Sequence, residues 1–77
     1  MQRKVNFKGY NFLAISDSAG LDVWADEENA TEEIMAIATE LWHTIFDMRI
    51  KLFGEDVQNH DTTYGELQAS LFELKLL

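Results

Sequence analysis

Ile34, Ala38, Leu41, Ile45, Met48 and Leu52 recur at alternating spacings of four and three. That is the repeat of one helical face, and nothing else in the chain constrains the fold as strongly. A second stripe runs beside it through Met35, Trp42, Phe46, Arg49 and Phe53, and Ile37 and Ile50 widen the apolar surface further. Asn29 can cap such a helix, with Glu32 completing a capping-box-like pattern. Glu32 and Glu33 then fall in the first turn, where the helix dipole favours anions, and Arg49 and Lys51 fall near the end, where it favours cations. Gly54 is a natural stop. The spacing predicts a helix from about Ala30 to Phe53. Its apolar girth exceeds what one small sheet covers, so either the C-terminal segment or a second subunit must pack on it.

Before this helix the chain reads as strand. Val5 and Phe7 alternate with Lys4, Asn6 and Lys8, and Leu21, Val23 and Ala25 alternate with Asp22 and Trp24. Between them Tyr10 to Ile15 is apolar on both faces. Asp17-Ser18-Ala19-Gly20 reads as a hairpin loop with Gly where positive φ is needed. Lys8-Gly9 is either a tight turn or a bend in one long strand. After Gly54 a polar, acidic loop is expected to Thr63, and Thr63 with Glu66 can form another capping box. Leu67, Leu71 and Leu74 share a helical face, although Phe72 to Leu76 also alternates with period two. The expected fold is α+β in a single domain over 1–77. An N-terminal antiparallel hairpin or three-stranded meander packs on one long helix, and a shorter C-terminal helix, or else a strand, follows.

Charge narrows the function. Between Gly9 and Met48 there is no lysine or arginine, while Asp17, Asp22, Asp26, Glu27, Glu28, Glu32, Glu33, Glu40 and Asp47 fall in the same stretch. The formal charge of the chain is −8. A one-signed negative field of this kind attracts basic partners and opposes direct contact with nucleic acid or anionic membranes. Carboxylates spaced like phosphates can occupy a groove lined by lysine and arginine, as nucleic acid does. The plainer alternative is a solvated acidic face that caps a helix and aids solubility.

Other chemistry finds little support. Without cysteine there is neither disulfide nor thiolate metal site. His43 and Asp47 are spaced to supply two metal ligands, with Glu40 one turn earlier, but a solvated helix surface explains them better, and no metal or cofactor is expected. His60 and Asp61 fall in the expected loop. The serines lack a nucleophile-elbow context, and single glycines make no phosphate loop. No apolar run approaches the roughly 20 residues that span a bilayer. With no signal-like apolar segment after Met1-Gln2-Arg3-Lys4, a cytoplasmic location is expected.

The run Gly20-Leu-Asp-Val-Trp-Ala-Asp-Glu-Glu-Asn-Ala-Thr-Glu-Glu-Ile is a strand leading into an acidic, capped helix. It resembles an organisation common among small phage inhibitors of the anti-CRISPR and DNA-mimic type. The resemblance implies a stoichiometric inhibitor of a nucleic-acid-binding or guide-RNA effector protein, and it transfers no functional residue. The expectation is therefore a non-enzymatic binder of a basic nucleic-acid-handling protein, such as a CRISPR effector or a host transcription or defence component. Asp22, Asp26, Glu27, Glu28, Glu32, Glu33 and Glu40 are the expected contacts. The alternative is a homodimer assembling through Met35, Trp42, Phe46 and Phe53.

Overall fold

The computed structural model describes residues 2–17, 20–54 and 64–77, Tyr64 by its backbone alone. Three strands, β1 (Gln2–Phe7), β2 (Tyr10–Asp17) and β3 (Gly20–Ala25), precede two helices, α1 (Glu32–Phe53) and α2 (Tyr64–Glu73). The strands form an antiparallel sheet in the order β1-β2-β3, so the fold is α+β. Lys8-Gly9 is a tight turn. Phe7 faces Tyr10 across it, and Lys8 and Gly9 both have positive φ, 53° and 89°, as a type I′ turn requires. In the second hairpin Asp17 pairs with Gly20, while Ser18 and Ala19 of the expected loop lie outside the described residues.

The register sets one sheet face against the helices. Val5 pairs with Phe12, Ala14 with Val23 and Ser16 with Leu21. Val5, Phe12, Ala14, Ser16 and Leu21 are buried, and Val23 is half-buried. α1 packs mainly on β3, and α2 packs on α1 and touches β2. Ile34, Ala38, Leu41 and Ile45 of α1 meet Leu67 and Leu71 of α2 in the same core. The C-terminal segment thus supplies part of the cover that the wide helix requires.

The start of α1 differs from the expectation. The cap is Thr31, not Asn29: Thr31 Oγ1 accepts from the Ile34 N–H at 3.2 Å. The Asn29 carbonyl instead accepts from the Thr31 N–H at 3.1 Å. With apolar Ile34 three residues after the cap, no capping box forms. Glu32 and Glu33 do occupy the first turn, and Gly54 closes the helix at φ 93° with its N–H bonded to the Ile50 carbonyl.

Arg49 keeps its place in the second apolar stripe near the end of α1. It is 0% exposed, its Nε donates to Glu66 Oε1 of α2 at 3.0 Å, and its guanidinium lies 5.7 Å from the Phe46 ring centroid. A guanidinium can be held inside a small core only if its charge is paired, so the contact fixes α2 to α1. Of the expected Thr63–Glu66 capping box, Thr63 lies outside the described residues, while the Glu66 carboxylate turns to Arg49.

The last residues form no strand. The Leu76 N–H bonds to the Leu71 carbonyl at 2.9 Å and the Lys75 N–H to the Phe72 carbonyl at 3.0 Å, with Lys75 at φ 61°. This is a Schellman motif with lysine where glycine is usual. The period-two pattern of Phe72 to Leu76 therefore spans a helix end.

Three outcomes follow for urea unfolding. Lys75→Gly is expected to stabilise the protein by about 1 kcal/mol, because it removes the left-handed penalty. Glu66→Ala is expected to cost about 2–3 kcal/mol, somewhat less than a fully dry pair because the carboxylate keeps some water. Arg49→Met combined with Glu66→Leu should recover most of that loss.

Candidate functional site: an acidic flank and an open strand edge

The expected contact carboxylates run from Asp22 in β3, through the β3–α1 connection, to Glu40 within α1, and they do not act alike. Asp26, Glu27 and Glu28 leave β3, and Glu32 and Glu33 open α1, with Asn29-Ala30-Thr31 between them. Of these, Glu27 is held: its Oε2 accepts the Asn11 N–H at 2.7 Å. The Asp26 N–H bonds to the Asn11 carbonyl at 2.9 Å. Glu27 thereby takes the place of a main-chain acceptor and finishes the β2–β3 ladder, which is a structural duty.

Glu33 and Glu40 lie two turns apart on one flank of α1, facing the β1–β2 turn. Glu33 Oε2 accepts from the Tyr10 hydroxyl at 3.3 Å, and Glu40 pairs with Lys8. The Lys8–Glu40 pair is half exposed on both sides and holds the turn near the helix. Asp22, Asp26, Glu28 and Glu32 are exposed, and among the described residues no hydrogen bond or ion pair engages their side chains. Lys8 thus offsets one edge of the acidic field, while Arg49 is buried against Glu66. Lys51 lies in the last turn of α1, and Lys75 lies just beyond the end of α2.

The opposite flank of α1 carries Met35 and Trp42 and faces β3. The Trp42 indole N–H donates to the Leu21 carbonyl at 2.6 Å, and its ring stacks on Phe46 at 4.9 Å with an interplanar angle of 9°. These contacts cover the middle of the second apolar stripe within the chain. Its ends stay open, Met35 at 59% and Phe53 at 42% exposure. His43 meets Trp42 edge-on at 5.0 Å and, like Asp47, is otherwise on the solvent side of α1.

The hydrogen-bond phase of β3 follows from two of these bonds. In an antiparallel ladder, successive residues direct their backbone groups alternately toward and away from the neighbouring strand. Asp26 bonds inward to Asn11, so Trp24 and Asp22 also point to β2. Leu21, Val23 and Ala25 then direct N–H and C=O to the free edge. The bond from Trp42 to the outward Leu21 carbonyl agrees with this phase. Beyond that bond, no described residue pairs with the outward groups of Val23 and Ala25. They border an open groove of about 270 Å³ between β3 and α1, walled by Trp24, Met35, Ala38 and Trp42. Trp24 is 60% exposed. Sequence reasoning marked the aromatic residues and Met35 but missed this edge, because which backbone groups face outward depends on pairing phase.

The arrangement is thus an α+β domain with an acidic strand–helix junction beside a strand edge that, among the described residues, is engaged only by the Trp42–Leu21 bond. No protein-family model matches the chain, and no curated protein or solved structure matches it either. Among the described residues no helix is long and apolar enough to cross a membrane, and no group of three or more His, Asp or Glu side chains could hold a metal ion.

The structural duty of Glu27 separates it from its neighbours. Glu27→Ala is expected to destabilise the fold by about 1 kcal/mol and to speed hydrogen exchange at the Asn11 amide. Glu28→Ala should change neither the urea midpoint nor that amide.

Proposed function

We propose that this protein is a non-enzymatic, stoichiometric inhibitor whose acidic strand–helix junction occupies a basic, nucleic-acid-binding site on a partner protein. The partner class is a host-defence or transcription component, with CRISPR effectors the leading instance through the resemblance of the Gly20–Ile34 run to small phage inhibitors. The observation that carries the reading is the charge pattern. Asp22, Asp26, Glu28 and Glu32 stand exposed and unpaired among the described residues, in a stretch of chain that holds no lysine or arginine. Such carboxylates keep their full attraction for a cationic groove, whereas an already neutralised one contributes little. Glu27 and Glu40 fit a supporting part better than a contact part, since each already serves an internal partner.

Assembly through the long helix draws less support. β3 and α2 already cover much of the stripe that such a dimer would use, and only its ends, Met35 and Phe53, are open.

The test is capture of a partner from lysate at low salt by the immobilised protein. The triple variant Glu28→Lys, Glu32→Lys, Glu33→Lys is expected to lose capture at least about tenfold, with the circular dichroism of the parent retained. Attraction should also fall steeply with salt, because exposed charges are screened within about 10 Å at 0.1 M. Equal capture by parent and triple variant, or capture indifferent to salt, would remove the reading.

A further inference from the structure

We infer that the free edge of β3, from Asp22 to Ala25, is a strand-addition site for an extended basic segment of a partner protein. The inference rests on the reading of the partner as basic and specifies how part of it is gripped.

An extended peptide can join an open sheet edge by main-chain hydrogen bonds, with its alternate side chains entering the two sides of the sheet. The edge of β3 meets both needs. Val23 and Ala25 offer outward N–H and C=O groups, and an apolar groove lies beside them rather than bulk solvent. On the inner side the added strand's side chains would meet Met35, Ala38 and Trp42, which favours apolar residues. On the outer side they would meet Asp22 and the exposed face of Trp24. A carboxylate next to an indole favours lysine or arginine there, by charge and by attraction of a cation to the ring. The site therefore selects an alternating basic and apolar strand.

The same features argue against a second copy of this chain as the occupant. Antiparallel pairing of β3 with β3 would bring the Asp22 and Asp26 carboxylates of both copies together. Pairing of β1 with β3 would be head-to-tail, and such an interface does not close unless the rotation makes a ring. The bond from Trp42 to Leu21 stops addition at one end of the strand, so the site is short and selective.

The probe is a fluorescently labelled synthetic peptide alternating lysine with valine. Its control has the same sequence with the amides of one strand edge N-methylated, which keeps the charge and removes the donors. Fluorescence polarisation is expected to show the control binding about tenfold or more weaker, with the largest amide NMR shifts in the intact peptide's complex at Val23 and Ala25. Met35→Lys, a change at an exposed site, is expected to weaken the intact peptide similarly by setting an ammonium against its apolar side chains. Val23→Pro removes an outward N–H that the ladder with β2 does not use, and should do the same.

Equal binding of the two peptides, shifts confined to the Glu33 and Glu40 flank, or no binding at all would overturn strand addition. If capture from lysate still fails in the Glu28, Glu32, Glu33 triple variant, the acidic-surface reading survives that result. Conversely, equal lysate capture by parent and triple variant with peptide binding intact would remove the inhibitor reading and keep the edge site. A mass that rises with protein concentration, accompanied by shifts at Val23 and Ala25 without peptide, would assign the edge to another copy and overturn the proposal.

Discussion

The structure depends on covering α1, a helix with apolar residues around more than half its girth, using only three strands and a short second helix. A chain of 77 residues has little surplus, since a domain of this size buries only about 60% of its unfolded surface. The cover comes from two directions. The sheet takes the seam of Ile34, Ala38, Leu41 and Ile45, and α2 takes the stretch around Arg49. The two closures differ in kind. The sheet side is packed and fixed by the Trp42–Leu21 bond, while the α2 side is held by a buried ion pair as well as by Leu67 and Leu71. The regions left over, at Met35, Trp24 and Phe53, are where the cover runs out.

Much of this was legible in the chain itself. The four-three spacing located α1, and the alternation of Lys4 to Lys8 and of Leu21 to Ala25 located two strands. Lys8-Gly9 was ambiguous because lysine rarely takes positive φ, and only pairing across the turn decides it. Asn29 and Thr31 are both good caps, and Thr31 serves because Asn29 lies within the bend of residues 27–29. The place of Arg49 in the apolar stripe was legible, but what neutralises it there was not, because its partner Glu66 sits on a different element. The C-terminal alternation was misleading because helix ends and short strands share apolar spacing over a few residues. Of the contact residues, composition gave the charge, but it could not show which carboxylates already served an internal partner.

That distinction reshapes the acidic field. By sequence alone, seven carboxylates form one set. In the fold they separate into three groups. Glu27 ends a ladder, Glu33 and Glu40 tie the helix to the β1–β2 turn, and Asp22, Asp26, Glu28 and Glu32 face solvent. Local like-charge repulsion among the last four is weakly opposed from within the chain. Glu32 gains from the α1 dipole, while Asp22 and Asp26 lie on and beside a strand that offers no such help. A fold that keeps such a cluster is therefore somewhat less stable than it would be with neutral residues there.

The two sheet edges sharpen the point. Open edges invite unwanted pairing, and proteins commonly guard them with charge, above all lysine. On β1 the outward backbone groups fall at Lys4 and Asn6, by the same phase argument from the Phe7–Tyr10 turn, and Lys4 stands at the middle of that strand. On β3 the guard is different. Trp42 takes one carbonyl, and Asp22 supplies negative charge, but Val23 and Ala25 are left beside an apolar groove. A carboxylate repels acidic strands and other copies of this chain, yet it invites a basic one. An edge guarded by negative charge and by Trp42 at one end thus excludes most partners while admitting one class.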